Sequence, residues 1–308
     1  MHSAANRNHC QKNNVQMKRL FLPAAKHSVQ MALFITLTTI FTSVHAQELK
    51  VMSFNIRLNV TSDSINAWPN RVDLVTSQVS YHQVHLLGVQ EATPGQMDDL
   101  RAKLTGYRSI GGGRDNGTDK GEASALFYDT SRLLSLANGM FWLSKTPDVP
   151  GSLGWDAQIT RMVTWSKFRD RKTRKIFFAF NTHFDHIGKE ARRESAKMVL
   201  AAVKRIAGST PSVITGDFNA VPTDEPIRVI MDKNDPLHLV DSKDVSLTPH
   251  YGPTGTFNGF QSKERDDFPI DYIFIKGAWK VKSHATLSQT WHGRFASDHF
   301  AVLASLQL

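Results

Sequence analysis

Short apolar runs that stop on a polar residue recur along this chain. Leu49 to Phe54 reads as a strand that ends at Asn55, and Val84 to Val89 as another that ends at Gln90-Glu91. Ile176 to Phe180 is apolar almost throughout, as a strand covered on both faces should be, and it ends at Asn181-Thr182-His183. A β-branched stretch from Ser212 to Thr215 delivers Gly216-Asp217-Phe218-Asn219. Between these strands the spacing of Trp68, Val72, Val75 and Val79 predicts a helix with Pro69 in its first turn. Met97, Leu100 and Leu104 predict a second helix that starts at Thr93-Pro94. A third, over 189–207, puts Ser195, Val199, Ala202, Val203 and Ile206 on one face and Lys and Arg residues on the others. A short helix is expected near 224–231, strands at 123–128, 139–143 and 161–168, and two closing strands at 272–275 and 300–306. No internal repeat, low-complexity linker or change of composition divides these elements, which argues for one domain.

Two of the later strands reverse the pattern and begin just after a polar group. Asp271 precedes Tyr272 to Ile275, and Asp298-His299 precedes Phe300 to Leu303. If these two run antiparallel to the earlier four, every polar terminus meets at one edge of a mixed sheet system with helices packed outside it. Ligands bind at strand ends in open α/β sheets, so that edge is the expected cleft. Each residue alone has an ordinary reading. Asp217-Phe218-Asn219 suits a turn, Glu91 suits a helix start, and His183 and His186 suit packed histidines. Ordinary roles for all of them at once, each at a strand terminus, are much harder to reconcile with the pattern. The glycine-rich segment 111–122 lacks the strand-to-helix context of a nucleotide cradle and reads as a rim loop.

The first 46 residues differ from the rest. They contain no Asp or Glu, carry Lys18-Arg19 before an apolar run from Met31 to Phe41, and end in Val44-His45-Ala46. This predicts a signal peptide over 1–46, with a possible true start at Met17, and an exported domain over 47–308 in the periplasm or outside the cell. The apolar run is short for a membrane span, so no stable anchor is expected after cleavage. The formal charge would fall from +9 to +4, because five of the 37 Lys and Arg residues precede the cut. The one cysteine, Cys10, would leave too, which excludes thiol chemistry and disulfides from the remaining domain. The modest charge does not demand nucleic-acid binding. No protein partner is evident, and a monomer is expected.

Ser53-Phe54-Asn55, Gln90-Glu91, Asn181-Thr182-His183, Gly216-Asp217-Phe218-Asn219, Ile270-Asp271-Tyr272-Ile273 and Ser297-Asp298-His299-Phe300 resemble the ordered motifs of the endonuclease/exonuclease/phosphatase superfamily. Trp68-Pro69-Asn70-Arg71 and the segment from Gly121-Glu122 to Leu126-Phe127-Tyr128 look more like its secreted bacterial branch, related to the deadenylases, than like abasic-site nucleases. The resemblance implies a four-layered α/β sandwich, two mixed β-sheets packed face to face with helices outside, and metal-dependent phosphoester hydrolysis. Mg²⁺, with Mn²⁺ able to replace it, suits an all-oxygen set of Glu91, Asn55 and Asp298, whereas zinc does not. By the same resemblance Asp217 activates the attacking water, with Asn219 orienting it or holding a phosphate oxygen. His299, oriented by Asp271, bonds the scissile phosphate, and His183 protonates or stabilises the leaving oxygen. Arg161, Arg71 and Tyr107 are the expected substrate contacts. A phosphodiester of nucleic acid is the substrate class placed first. A phosphomonoester, or a lipid or sugar-phosphate diester, comes next, and a non-catalytic binding or toxin subunit is the remaining alternative.

Overall fold

Alternation along the central strands decides the architecture. The computed structural model describes residues 48–261 and 268–308; the leader expected over 1–46 lies outside them. In chain order the strands begin with β1 (Leu49–Asn55), β2 (Leu86–Ala92), β3 (Tyr107–Ile110), β4 (Ala123–Asp129), β5 (Leu133–Trp142), β6 (Met162–Asp170) and β7 (Ile176–His183). They continue with β8 (Ser212–Asp217), β9 (Val240–Asp241), β10 (Asp271–Lys276), β11 (Lys280–Leu287), β12 (Thr290–Trp291), β13 (Arg294–Phe295) and β14 (Ala301–Gln307). The helices are α1 (Val72–Tyr81), α2 (Pro94–Lys103), α3 (Lys189–Ala207) and α4 (Glu225–Met231).

Two six-stranded sheets result, ordered β11-β14-β1-β2-β4-β3 and β5-β6-β7-β8-β10-β9. Successive side chains in a strand face opposite ways, so each central strand feeds two layers. Met52, Phe54, Leu87 and Val89 pack outward with residues of α1 and α2. Phe178, Phe180 and Ile214 pack outward with α3 and α4. Val51, Leu86, Phe177, Ala179, Val213 and Ile273 fill the space between the sheets. The order helix, sheet, sheet, helix is the four-layered sandwich that the sequence resemblance implied. β1 runs parallel to β2 and β7 parallel to β8, while β14 and β10 are antiparallel to their neighbours β1 and β8, as the polar termini required.

The layer between the sheets changes character along its length. Its residues run Val51, Ser53, Asn55 on β1, Ala179, Asn181, His183 on β7, and Val213, Thr215, Asp217 on β8. Apolar packing therefore gives way to a buried polar seam and then to the strand tips. Asn181 is the hub of the seam. Its amide donates to the carbonyls of Val89 (2.8 Å) and Ala125 (3.0 Å) in the facing sheet. Its oxygen accepts from Gln90 (2.7 Å) and Thr215 (2.9 Å), so its hydrogen-bonding capacity is filled. Gly88 makes room for this crossing, since a Cβ there would lie 2.1 Å from Thr215 Oγ1 and 2.5 Å from Asn181 Oδ1.

Several elements differ from expectation. Trp68-Pro69-Asn70 forms a 3-10 turn of its own before α1, because Arg71 breaks from helical geometry at φ −120°. β3, the exposed first half of β5, and β11 were not anticipated, and β11 lies between the two strands expected to close the chain. These are edge or near-edge segments with mixed patterns; Lys-Val-Lys-Ser-His in β11 carries a bulge between Val281 and Ser283. Among the described residues no helix is long and apolar enough to cross a membrane.

Gly88→Ala is expected to lower unfolding free energy by roughly 1–3 kcal/mol in urea denaturation, since the added methyl must push Asn181 or Thr215 off its partners. A loss below about 0.5 kcal/mol would show that the seam is not tightly packed.

Candidate active site

The strand register places the polar termini side by side. Asp217 is the register partner of His183 on β7 and of Asp271 on β10, and Asn55 on β1 is paired with Gln90 on β2. All lie at one mouth of the sandwich. Glu91 sits at a bulge between Val89 and Ala92 with φ 63°, which turns its carboxylate toward the mouth, where Asn55 reaches it.

Asp217 is buried and closely held. Its Oδ1 accepts from the Asn219 backbone N–H (2.9 Å) and its Oδ2 from the Asn55 amide (2.9 Å). Burial, and then the neighbouring Asp271 carboxylate, push its pKa up to about 7. Asp271 Oδ2 accepts from His299 Nδ1 at 2.9 Å, while its buried Oδ1 has no partner. Burial pulls the His299 imidazolium down, but the bonded Asp271 carboxylate, with Asp217 and Asp298 beyond it, outweighs burial and holds His299 well above the ordinary histidine value. The charged ring therefore points Nε2 toward Asp217 Oδ2, 3.9 Å away.

His183 goes the other way. Burial, then the nearby Arg161 and Arg114 guanidinia, drive it well below the ordinary value. It is neutral, with Nε2 placed to accept from the Asn219 amide at 3.0 Å. A neutral ring can donate a hydrogen bond but has no proton to spare, which narrows the expected role to stabilisation. Asn219 itself adopts φ 47° and donates also to the Phe184 carbonyl. The strand ends at Asp217, so Asn219 shares its side of the mouth through a turn and not through strand alternation.

The oxygen-rich side holds Glu91 and Asp298. Asn55 donates to Glu91 Oε1 (3.0 Å) as well as to Asp217, and its own oxygen accepts from the Arg57 N–H (3.0 Å). Asn55, expected among the ion's ligands, bridges the two carboxylates through its nitrogen in this structure. Burial, and among its neighbours Glu91, raise Asp298, whose Oδ2 lies 3.7 Å from Arg57 Nε. Glu91, Asp217, Asp271 and Asp298 thus gather about the His299 cation, while Arg57 is taken up mainly by Asp63. That excess of hard oxygen donors fits a divalent cation. The ligand atoms of Asp217, Asp271 and His299 lie within 4.8 Å of one another and could hold a metal, though an ion there would have to displace the His299–Asp271 bond. Glu91 and Asp217 Oδ2 are joined through the Asn55 amide, so an ion held between them and Asp298 would take the place of those bonds.

The three expected substrate contacts separate. Arg161 is buried beside His183, its Nε unpartnered and 3.8 Å from Asp185. Arg71 is not available as a phosphate contact: it donates to the carbonyls of Ile56 (2.8 Å), Ala296 (2.8 Å), Asn66 and Arg57. Burial lowers it to about 10, and it ties three loops together beneath the site. Tyr107 is also excluded, because its register partner is Asp129 at the far end of β4 and its hydroxyl donates to the Val84 carbonyl there. Sequence reasoning also missed Arg114 and Glu122, which line the wall next to His183 and Arg161. The signal was present as an oppositely charged pair inside the glycine-rich loop.

The family model described as Endonuclease/Exonuclease/phosphatase family matches residues 52–299, which spans every motif of the mouth. The chain belongs to the endonuclease/exonuclease/phosphatase family. It is accordingly a hydrolase of the phosphatase and nuclease family. A family structure from Bacteroides vulgatus is 38% identical, with a TM-score of 0.81 over 85% of this chain and 99% of that one. A mannosyl-6-phosphatase from Bacteroides thetaiotaomicron is 38% identical, with a TM-score of 0.80 over 84% of this chain and 100% of that one. The human Nocturnin catalytic domain, 20% identical with a TM-score of 0.65 over 84% of this chain and 94% of that one, shares the family fold.

Asp217→Asn tests the electrostatics without turnover. A carboxyl whose folded pKa is raised to about 7 contributes stability at low pH that is lost as pH rises from about 4 through 7. In metal-free protein the variant should therefore gain stability relative to wild type over that window, by on the order of 2 kcal/mol, in paired denaturation curves. A pH-independent difference would contradict the raised Asp217.

Proposed function

We propose that this protein is an exported, Mg²⁺-dependent phosphatase that hydrolyses a sugar phosphate monoester. The observation that carries the reaction is the arrangement of Asp217, gripped by Asn55 and Asn219, beside a charged His299 held by Asp271. The donor set of Glu91 and Asp298 supports Mg²⁺, with Mn²⁺ able to replace it, and such an ion supplies charge neutralisation on the phosphoryl oxygens. The sugar monoester is supported by the 38% identity to a mannosyl-6-phosphatase over essentially all of that chain, and by the modest charge of the domain. These weigh more than the phosphodiester of nucleic acid that the motif pattern put first. The leader pattern over 1–46 supports export.

In this reading Asp217 takes the proton of the attacking water. A base titrating near 7 combines a useful deprotonated fraction with proton affinity. Asn219 orients that water through its carboxamide oxygen, which accepts no hydrogen bond among the described residues. His299 donates Nε2–H to the phosphoryl group as charge builds there, and the Asp271 carboxylate keeps the ring charged and aimed. Arg161 faces the phosphate from the opposite wall. Neutral His183 steadies the leaving oxygen as a hydrogen-bond donor, and Asn219 fixes its ring.

With Mg²⁺ and mannose 6-phosphate, the protein from Gln47 onward is expected to release phosphate, and EDTA should abolish this. Asp217→Asn and His299→Ala should each lower kcat by about 10²–10⁴-fold with folding intact by circular dichroism. Faster hydrolysis of a labelled oligonucleotide than of any sugar phosphate would restore the nucleic-acid reading, and near wild-type rates in either variant would overturn the roles.

A further inference from the structure

The glycine-rich loop builds one wall of the site. Arg114 N–H donates to the Glu122 carbonyl and Asp115 N–H to that of Lys120 (both 3.0 Å), closing the loop into a tight hairpin. Trp142 Nε1 donates to the Arg114 carbonyl at 2.6 Å, which anchors the hairpin to β5. So held, the Arg114 guanidinium meets Glu122 through both terminal nitrogens, at 2.8 and 2.7 Å. Arg114, Glu122 and Arg161 line one recess together with Glu91 and His183.

Two features of this recess have no structural explanation. The Nε–H groups of Arg114 and Arg161 are both buried and have no hydrogen-bond acceptor. Arg161 is 6% exposed; its nearest acid is Asp185 at 3.8 Å, and its Nη2 lies 3.3 Å from His186 Nδ1. Asp185 is itself committed to the N–H groups of Gly188 (2.7 Å), Ile187 (2.9 Å), Gln158 (3.2 Å) and Ile159 (3.3 Å). Unpaired guanidinium donors are costly to bury, and the two side chains line, with His183, a recess too narrow for a water molecule, so an anion would have to part them to reach both. Among the described residues, Glu122 is the carboxylate that occupies the Arg114 fork.

We propose that Arg114 and Arg161 form the subsite for the dianionic face of a phosphate monoester, with Glu122 setting its strength, so that this wall selects monoesters over diesters. The proposal rests on the phosphatase reading above and adds its selectivity. A monoester brings three non-bridging oxygens and close to two charges, enough for His299 on one side and both guanidinia on the other. A diester replaces one of those oxygens by a substituted, neutral one, which would leave the Nε–H groups unpaired again. Glu122 weakens the grip by holding both terminal nitrogens of Arg114, which lets inorganic phosphate leave after the reaction.

The test uses calorimetric binding of inorganic phosphate with Mg²⁺ present, and kcat/KM for p-nitrophenyl phosphate against bis(p-nitrophenyl) phosphate. Glu122→Gln should tighten phosphate about 3- to 10-fold, because the neutral amide frees an Arg114 N–H. A purely structural ion pair would give the opposite sign. The double variant Arg114→Gln with Glu122→Gln, which leaves no lone buried charge, should weaken phosphate and lower monoester kcat/KM about 10- to 100-fold, with diester kcat/KM changed less than about threefold. Equal losses on both esters, unchanged phosphate binding in both variants, or weaker binding in Glu122→Gln would overturn the proposal. So would a Glu122→Gln effect confined to mannose 6-phosphate and absent for inorganic phosphate, which would assign the pair to the sugar. If wild type binds phosphate with this variant pattern yet hydrolyses no monoester, the phosphatase reading fails while the subsite stands.

Discussion

The antiparallel register of β8 and β10 forces Asp217 and Asp271 side by side, buried, at the mouth between the sheets. Two carboxylates cannot both carry charge cheaply there, and the rest of the site answers that problem. Asp271 holds His299 as an imidazolium, burial and Asp271 displace Asp217 toward neutrality, and Asn55 lends one amide to Asp217 and Glu91 together. The result is a carboxyl and an imidazolium, side by side, whose proton affinities are both raised by their surroundings.

That arrangement depends on the seam beneath it. Asn181 makes four hydrogen bonds, three of them to the facing sheet, and Gly88 lets the facing strands approach closely enough to make them. A satisfied polar hub of this kind sets the relative position of two sheets more narrowly than apolar packing can, because hydrogen bonds tolerate little displacement. The sheet carrying Asn55 and Glu91 is thereby placed against the sheet carrying His183, Asp217 and Asp271. Arg71, expected at the substrate, serves the same end: four backbone carbonyls converge on its buried guanidinium and hold the loops that lead from Asn55 and to Asp298.

The walls of the mouth differ in charge, and this bears on substrate. One side gathers Asp217, Asp271 and Asp298; the other carries Arg161 and Arg114, with Glu122 paired to Arg114 and Glu91 where the two sides meet, and under the proposed reading the arginines are what the phosphate would face. His183 lies on the cationic side and is kept neutral by burial and by those arginines, so the two histidines of the site differ in charge although His183 ends one strand and His299 stands just before another.

Most of this architecture was legible in the order of residues. Short apolar runs identified the central strands and helical spacing identified α3, and the polar residues at the strand ends marked Asn55, Glu91, His183, Asp217, Asp271, Asp298 and His299, because periodicity and chain reversal are local properties that a linear pattern records. Edge strands such as β3 and β11 were not, since they are covered on one side only and carry mixed patterns. The tertiary structure alone decided that the Asn55 amide nitrogen meets both Glu91 and Asp217, that Arg71 and Tyr107 face backbone carbonyls, and that Arg114 and Glu122 line the mouth beside His183. Those outcomes turn on contacts between residues up to 225 positions apart, as from Arg71 to Ala296, where side-chain direction is set by packing and not by neighbours in sequence.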